Sequence, residues 1–257
     1  MSEPRYRFVF LVGAQGSGTT LLIRMLSRPA SSLALGGNYV TVPRDDREAF
    51  SLVEQFDEVN AALWDRKAGH ERQDGLRQEL RRIVDRLLRL PRYAEVSHVL
   101  YKRSAPFFGG DRYRPDLADL VEAFPDLRVV AIYRDPRAAS CSALRRGYAD
   151  NLRQCALISE EQLTYLAAQL ATLDPARWRV VGYEALCAEP RPILEELAGF
   201  CGLPAEPVLR ALQDEPLRTT QNERWRAELD QAGRDYLDAF FDERRLAQWS
   251  LLRRAAA

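Results

Sequence analysis

The amino-acid sequence predicts an α/β protein: a parallel β-sheet flanked by helices in three layers. Three observations carry this. Short apolar runs of strand length recur at Phe8–Val12, Ser32–Leu35, Val96–Tyr101, Leu127–Tyr133 and Trp178–Tyr183. Stretches with apolar residues every three or four positions separate them, the spacing of one helix face. Glycine-rich and polar positions fall directly after the runs, where open parallel sheets place their ligands.

The elements follow in order. Phe8–Val12 is apolar throughout, as a strand covered on both faces must be. Gly13-Ala14-Gln15-Gly16-Ser17-Gly18-Thr19-Thr20 comes next, then Leu21, Leu22, Ile23, Met25 and Leu26 in a helical pattern. A strand, a glycine loop and a helix start form the layout that cradles phosphates. Loop amides and the helix N-terminus point at the anion, and glycines let the backbone approach it. The spacing nearly fits G-x-x-x-x-G-K-[ST]. Gly13, Gly18 and Thr20 agree, but Thr19 stands where the lysine belongs. That lysine reaches the β- and γ-phosphates of ATP or GTP, so an anion loop follows while ATP is not the obvious ligand.

Ser32–Leu35 is the second strand and opens onto a loop, Gly36–Arg44. A helical insertion then occupies about 45–92. Leu52, Phe56, Val59 and Leu63 share one face, and so do Leu76, Leu80, Ile83, Leu87 and Leu90. Pro91 stops the second helix. Arg77, Arg81, Arg82, Arg86 and Arg89 read as its solvated face. Val96–Tyr101 ends in Lys102-Arg103-Ser104-Ala105-Pro106. A helix over Pro115–Phe124 precedes the strand Leu127–Tyr133, after which Asp135 and Pro136 are the N-cap and first residue of another helix. A helix near Ser159–Leu173, a strand at Trp178–Tyr183 and a helix over Pro192–Cys201 follow. Gly202 ends that helix, and a last helix lies near Gln231–Phe241. Nothing in 257 residues demands a second unit, so one domain over 1–257 is expected.

The 37 basic and 37 acidic residues cancel, which argues against a broad nucleic-acid surface. Cys141, Cys155, Cys187 and Cys201 have no C-x-x-C spacing and read as reduced, buried thiols. With two histidines besides, they offer no zinc set, and no metal is expected. There is no signal-peptide layout and no apolar run of membrane-spanning length. A cytoplasmic monomer or homodimer with neither membrane nor nucleic-acid partner is expected.

Gly13–Thr20, Lys102–Ser104, Arg134 and Tyr183 all lie at or just after strand ends and should meet in one crevice. Ser142 follows Arg134 by eight residues, about two turns into the helix that Asp135 caps. A guanidinium fork and a hydroxyl so placed can share one anion. The sequence thus offers two phosphate sites. A nucleotide phosphorylated at both 5′ and 3′ positions would use both, whereas ATP would leave the second idle.

On these residues the chain resembles the sulfotransferases that use 3′-phosphoadenosine 5′-phosphosulfate (PAPS). Gly13–Thr20 is similar to their 5′-phosphosulfate loop, which typically reads P-[KR]-[SA]-G-[ST]-[TN]. Arg134-Asp135-Pro136 with Ser142 resembles their 3′-phosphate motif. Tyr183-Glu184-Ala185-Leu186 resembles Y-E-D-L, whose tyrosine lies near the adenine, and Phe200-Cys201-Gly202-Leu203-Pro204 resembles the F-L-G-L-P that follows. Trp225-Arg226, with Arg218 seven residues earlier, looks like their C-terminal 3′-phosphate segment. The resemblance implies a P-loop-like sulfotransferase fold. It also implies transfer of a sulfuryl group from PAPS to a hydroxyl or amine/amide of a small-molecule acceptor, with release of adenosine 3′,5′-bisphosphate (PAP). Gln15, Gly16, Ser17, Gly18, Thr19 and Thr20 would hold the 5′ end. Arg134, Ser142, Arg218 and Arg224 would hold the 3′-phosphate, Tyr183 would lie near the base, and Lys102 would bridge the leaving oxygen.

The departures are specific. Gln15 and Gly16 replace the loop's proline and its basic residue. Lys102-Arg103-Ser104-Ala105-Pro106 is similar to K-T-H-L-P, but Ser104 stands where the catalytic histidine would be. Asn38 stands where another branch has a glutamate. The base is therefore open, with Ser104 and Asp46 as candidates. Asp45, Asp46 and Glu48 could equally start the next helix. His98 reads as a core residue at the far end of its strand. Tyr39, Phe107 and Phe108 are candidate walls for the acceptor. Two alternatives stand beside this reading: a P-loop kinase-like enzyme with a degenerate lysine position, and a non-catalytic nucleotide-binding protein.

Overall fold

The computed structural model describes residues 6–36, 39–63, 70–104, 116–215 and 217–256. Five strands form one sheet: β1 (Arg7–Gly13), β2 (Ser32–Leu35), β3 (His98–Ser104), β4 (Arg128–Tyr133) and β5 (Trp178–Gly182). Their order is β2-β3-β1-β4-β5, and each pairing is parallel. β3 and β4 leave the central β1 on opposite sides, so the connections diverge at its carboxyl end. That is where such sheets open a crevice. The register pairs Leu11 with Lys102, and Gly13 with both Ser104 and Ile132. Tyr133 pairs with Gly182. The strand ends predicted to carry the site therefore lie along one edge.

Alternation along β1 divides the core into two layers. Phe8, Phe10 and Val12 face the first, which also holds side chains of α2 (Arg47–Leu63), α3 (His70–Arg89), α4 (Leu117–Ala123) and α6 (Leu152–Ala171). Phe8 stacks on Phe124 with ring centroids 3.9 Å apart. Val9 and Leu11 face the second layer, with α1 (Thr19–Leu26), α7 (Tyr183–Ala188), α8 (Pro190–Cys201) and α9 (Ala205–Asp214). Both faces of β1 are removed from water, which explains its unbroken apolar run. The four cysteines are free and buried.

α5 (Pro136–Arg145) begins as expected: Asp135 accepts from the Arg137 amide at 2.8 Å, and Pro136 is the first residue. Other boundaries differ from expectation. β3 starts two residues later and runs through Ser104, so Lys102 belongs to the strand. Tyr183 opens α7 rather than ending β5. α6 starts seven residues early because Asn151 caps it, accepting from the Gln154 amide at 3.0 Å. The tail holds α10 (Thr220–Glu228), α11 (Gln231–Phe240), α12 (Glu243–Ala247) and α13 (Ser250–Ala255) where one helix was expected. Asp230 and Asp242 supply two of its N-caps; a short helix is marked by its cap, not by periodicity.

Two arginines of the insertion do more than face solvent. Arg77 pairs with Asp119 and with Glu122, the latter at 3.1 Å. Arg81 donates to the carbonyls of Ala123 and Glu122 at the end of α4, where the helix dipole favours a cation. His98 is buried at the amino end of β3, its Nδ1 3.0 Å from Ser97 Oγ.

Candidate active site

The loop between β1 and α1 is built on two left-handed glycines, Gly16 with φ 82° and Gly18 with φ 104°. Gly16 presses on α5: a Cβ there would overlap the Ala139 carbonyl oxygen and lie 3.3 Å from the Ala143 nitrogen. Gly18 is the N-cap of α1 and provides no side-chain cap. Helix-terminal amides thus face the crevice, as an anion site requires. From α6, Gln162 Oε1 accepts from the Gln15 amide at 2.7 Å. Ser17 tucks beneath the loop, its amide donating to Ala14 at 3.1 Å. Its buried Oγ has no partner among the described residues.

Arg134 leaves the end of β4 and joins three parts of the site. It donates to the Gly16 carbonyl at 3.0 Å and to the Gln221 carbonyl in α10 at 2.7 Å. Its guanidinium lies 4.2 Å from the Tyr183 ring centroid. That ring also covers the loop, because a Cβ on Gly18 would be 2.7 Å from Tyr183 Cδ2. Arg134 was expected as an open fork sharing an anion with Ser142. Instead it spends two donors on backbone carbonyls, and its buried Nε has no partner among the described residues.

Lys102 alternates with Tyr101, which is buried in the first core layer, and so points to the α1 side of the sheet. There its Nζ donates to Thr20 Oγ1 at 2.9 Å. Burial lowers its pKa to about 8, helped by the charges of Arg146 and Arg103. A bound anion would offset both effects. One residue earlier, Tyr101 donates to Asp57 at 3.0 Å and accepts from Asn60 at 2.7 Å. This ties α2 to the strand carrying Lys102. Burial raises the Asp57 carboxyl, against the nearby Arg103 charge and the Tyr101 hydrogen bond.

These groups surround a cavity of about 670 Å3. Of the predicted residues, Gln15, Gly16, Gly18, Thr19, Thr20, Lys102, Arg134 and Tyr183 line it. Arg103, inside the Lys102–Ser104 stretch expected in the crevice, lines it as well, and so do Arg24, Arg146 and Tyr148, which were not singled out as site residues. Among the described lining residues there are five cations and no carboxylate. The signal for Arg146 was present in sequence: an Arg-Gly pair ends the helix that starts directly after Arg134.

Other expected residues lie elsewhere. Asp46 starts α2, accepting from the Ala49 amide at 3.2 Å and from Tyr93 at 2.9 Å. It takes the helix-start role instead of entering the crevice. Ser142 is buried on α5 and is not part of the lining. Arg224 is exposed and pairs with Glu228 on its own helix. Arg218 is exposed and also outside the lining. Tyr39 packs in the second core layer, where its hydroxyl lies 3.3 Å from Ser27 Oγ. The side chain of Ser104, and Asn38, Phe107 and Phe108, lie outside the described residues.

Solved structures define the class of fold. A sulfotransferase from Alicyclobacillus acidocaldarius is similar with TM-score 0.59 at 16% identity, covering 97% of this chain and 96% of its own. The sulfotransferase domain of the Synechococcus PCC 7002 olefin synthase gives 0.55 at 20% identity, with 93% and 96% covered. A mouse sulfotransferase solved with PAP gives 0.53 at 10% identity, with 97% and 88% covered. The fold is therefore the P-loop-like one of sulfotransferases. The model of the Sulfotransferase family matches residues 9–207, and the chain belongs to that family. A search of curated proteins found no match. No helix among the described residues is long and apolar enough to cross a membrane.

Proposed function

We propose that the protein moves a sulfuryl group from PAPS to a hydroxyl or amine/amide of a small-molecule acceptor and releases PAP. The observation that carries this reading is the cavity at the strand ends, with five cationic side chains and no carboxylate in its described lining. The residues fit the nucleotide. The Gly16–Thr20 backbone would take the 5′ end, helped by the hydroxyls of Thr19 and Thr20. Arg134, with its spare buried Nε, would serve the 3′ side, and Tyr183 offers an aromatic face beside it. A retinol dehydratase solved with retinol and PAP has this fold, at TM-score 0.50 and 16% identity, covering 95% of this chain and 82% of its own.

In the proposed reaction the acceptor atom forms a bond to sulfur as the bond from sulfur to the 5′-phosphate oxygen breaks. The electron pair stays on that oxygen, and the acceptor proton passes to a base or to solvent. Lys102 would stabilise the charge growing on the leaving oxygen. Alignment and electrostatics supply the acceleration.

Calorimetric titration tests the donor. Wild type should bind PAP without magnesium and more tightly than ATP with magnesium. Arg134→Ala should lose at least about tenfold in affinity, the loss of one charge-assisted hydrogen bond. A preference for ATP with magnesium would replace this reading with a kinase-like one.

A further inference from the structure

We propose that Arg146, at the end of α5, supplies the positive charge on the 5′ phosphate that position 16 lacks. The inference rests on the nucleotide reading above and adds a residue to it. Gly16 cannot carry a long side chain. Its φ of 82° belongs to glycine, and the space a Cβ would enter is filled by Ala139 and Ala143 of α5. The helix that excludes a side chain at position 16 also offers the alternative. Arg146 lies three residues beyond Ala143, about 4.5 Å along the helix axis.

The position of Arg146 is fixed by the helix ending. The Tyr148 amide donates to the Ala143 carbonyl at 3.1 Å, and the Gly147 amide to Leu144 at 2.9 Å. Gly147 has φ 68°. This paired arrangement around a left-handed glycine is a Schellman ending, and it turns Arg146 and Tyr148 into the cavity wall. Arg145, next in chain, points the other way and pairs with Glu228 at 3.1 Å.

The other cavity cations are engaged. Arg24 pairs with Glu215 at 2.9 Å. Arg134 holds two carbonyls, Arg103 lies near Asp57, and Lys102 holds Thr20. Arg146 has no carboxylate partner among the described residues. Its charge is felt at Lys102, the group expected beside the leaving oxygen.

The test compares PAP with adenosine 3′-monophosphate, which lacks the 5′ phosphate, on wild type, Arg146→Ala and Arg146→Lys. Arg146→Ala should weaken PAP by about tenfold or more and leave the monophosphate within about twofold. Arg146→Lys should recover most of the PAP affinity. A second readout is the pH at which PAP affinity begins to fall. Thr20, Arg24, Arg103, Arg134, Arg146, Tyr148 and Tyr183 surround Lys102 in the cavity. Only the loss of a nearby charge moves that onset upward, and Arg146→Ala should do so. Unchanged PAP binding in Arg146→Ala, or equal losses for both ligands, overturns the proposal while leaving the nucleotide reading intact. Failure of wild type to bind PAP removes both.

Discussion

Lys102 sets the ionic behaviour of the site. Its pKa of about 8 in the folded chain lies below the ordinary lysine value because burial and two arginines disfavour the charge. Between that value and the ordinary one the unfolded chain binds more protons. This group therefore makes the ligand-free protein more stable as pH rises from about 8 toward 10.5. Binding runs the opposite way. An anion needs the ammonium, so PAP affinity should fall as pH rises through about 8, by at most about tenfold per unit for one proton. Titrations from pH 6.5 to 9.5 measure this, and a flat profile would show that Lys102 carries no binding charge. Lys102→Met should lower affinity and abolish the slope. The sequence marked Lys102 by its place after an apolar run. It could not show the depression, which comes first from burial in the fold and then from Arg146, forty-four positions away along the chain, and Arg103.

The contact between the glycine loop and α5 decides which loop sequences are allowed. Gly16→Lys, which would restore the family's basic residue, should destabilise the fold by about 1–3 kcal/mol and weaken PAP binding. Urea unfolding and titration of the variant check both. If it gained affinity, the packing of Gly16 on α5 would be wrong. On the far side of the crevice, Tyr101 links Asp57 and Asn60 of α2 to β3. Tyr101→Phe should cost about 1–3 kcal/mol by stranding buried polar groups, read as a lower urea midpoint. Elements with a long apolar pattern, such as β1 and α2, were legible in sequence. The start of α6 was not, because Asn151 marks it. Asp46 shows a similar limit: the same carboxylate near a helix start suits a base or a cap, and only Ala49 and Tyr93 decide between them.

Across the molecule, Arg134 bridges parts far apart in sequence, the glycine loop through Gly16 and the C-terminal helices through Gln221. Arg134→Ala should therefore lower global stability as well as affinity, by about 2–4 kcal/mol for two charge-assisted hydrogen bonds. PAP at about one hundred times its Kd should raise wild-type stability by about 2.7 kcal/mol. Thermal unfolding with and without the ligand measures both. The parallel sheet and the location of the crevice were readable because strand ends recur with polar residues behind them. Arg24 and Tyr148 were not, since an arginine beside a cavity and one on a solvated face have the same local sequence.

The four buried thiols have a practical consequence. A thiolate is the form that reacts with an alkylating reagent, and burial pushes Cys201 up to about 12 and Cys141 up to about 11. Folded protein should label slowly at neutral pH, so modification times the opening of the chain. Cys141 lies in one core layer, and Cys187 and Cys201 lie in the other. Mass spectrometry of partly labelled protein then reads which side of the sheet loosens first, using reporters the chain already contains.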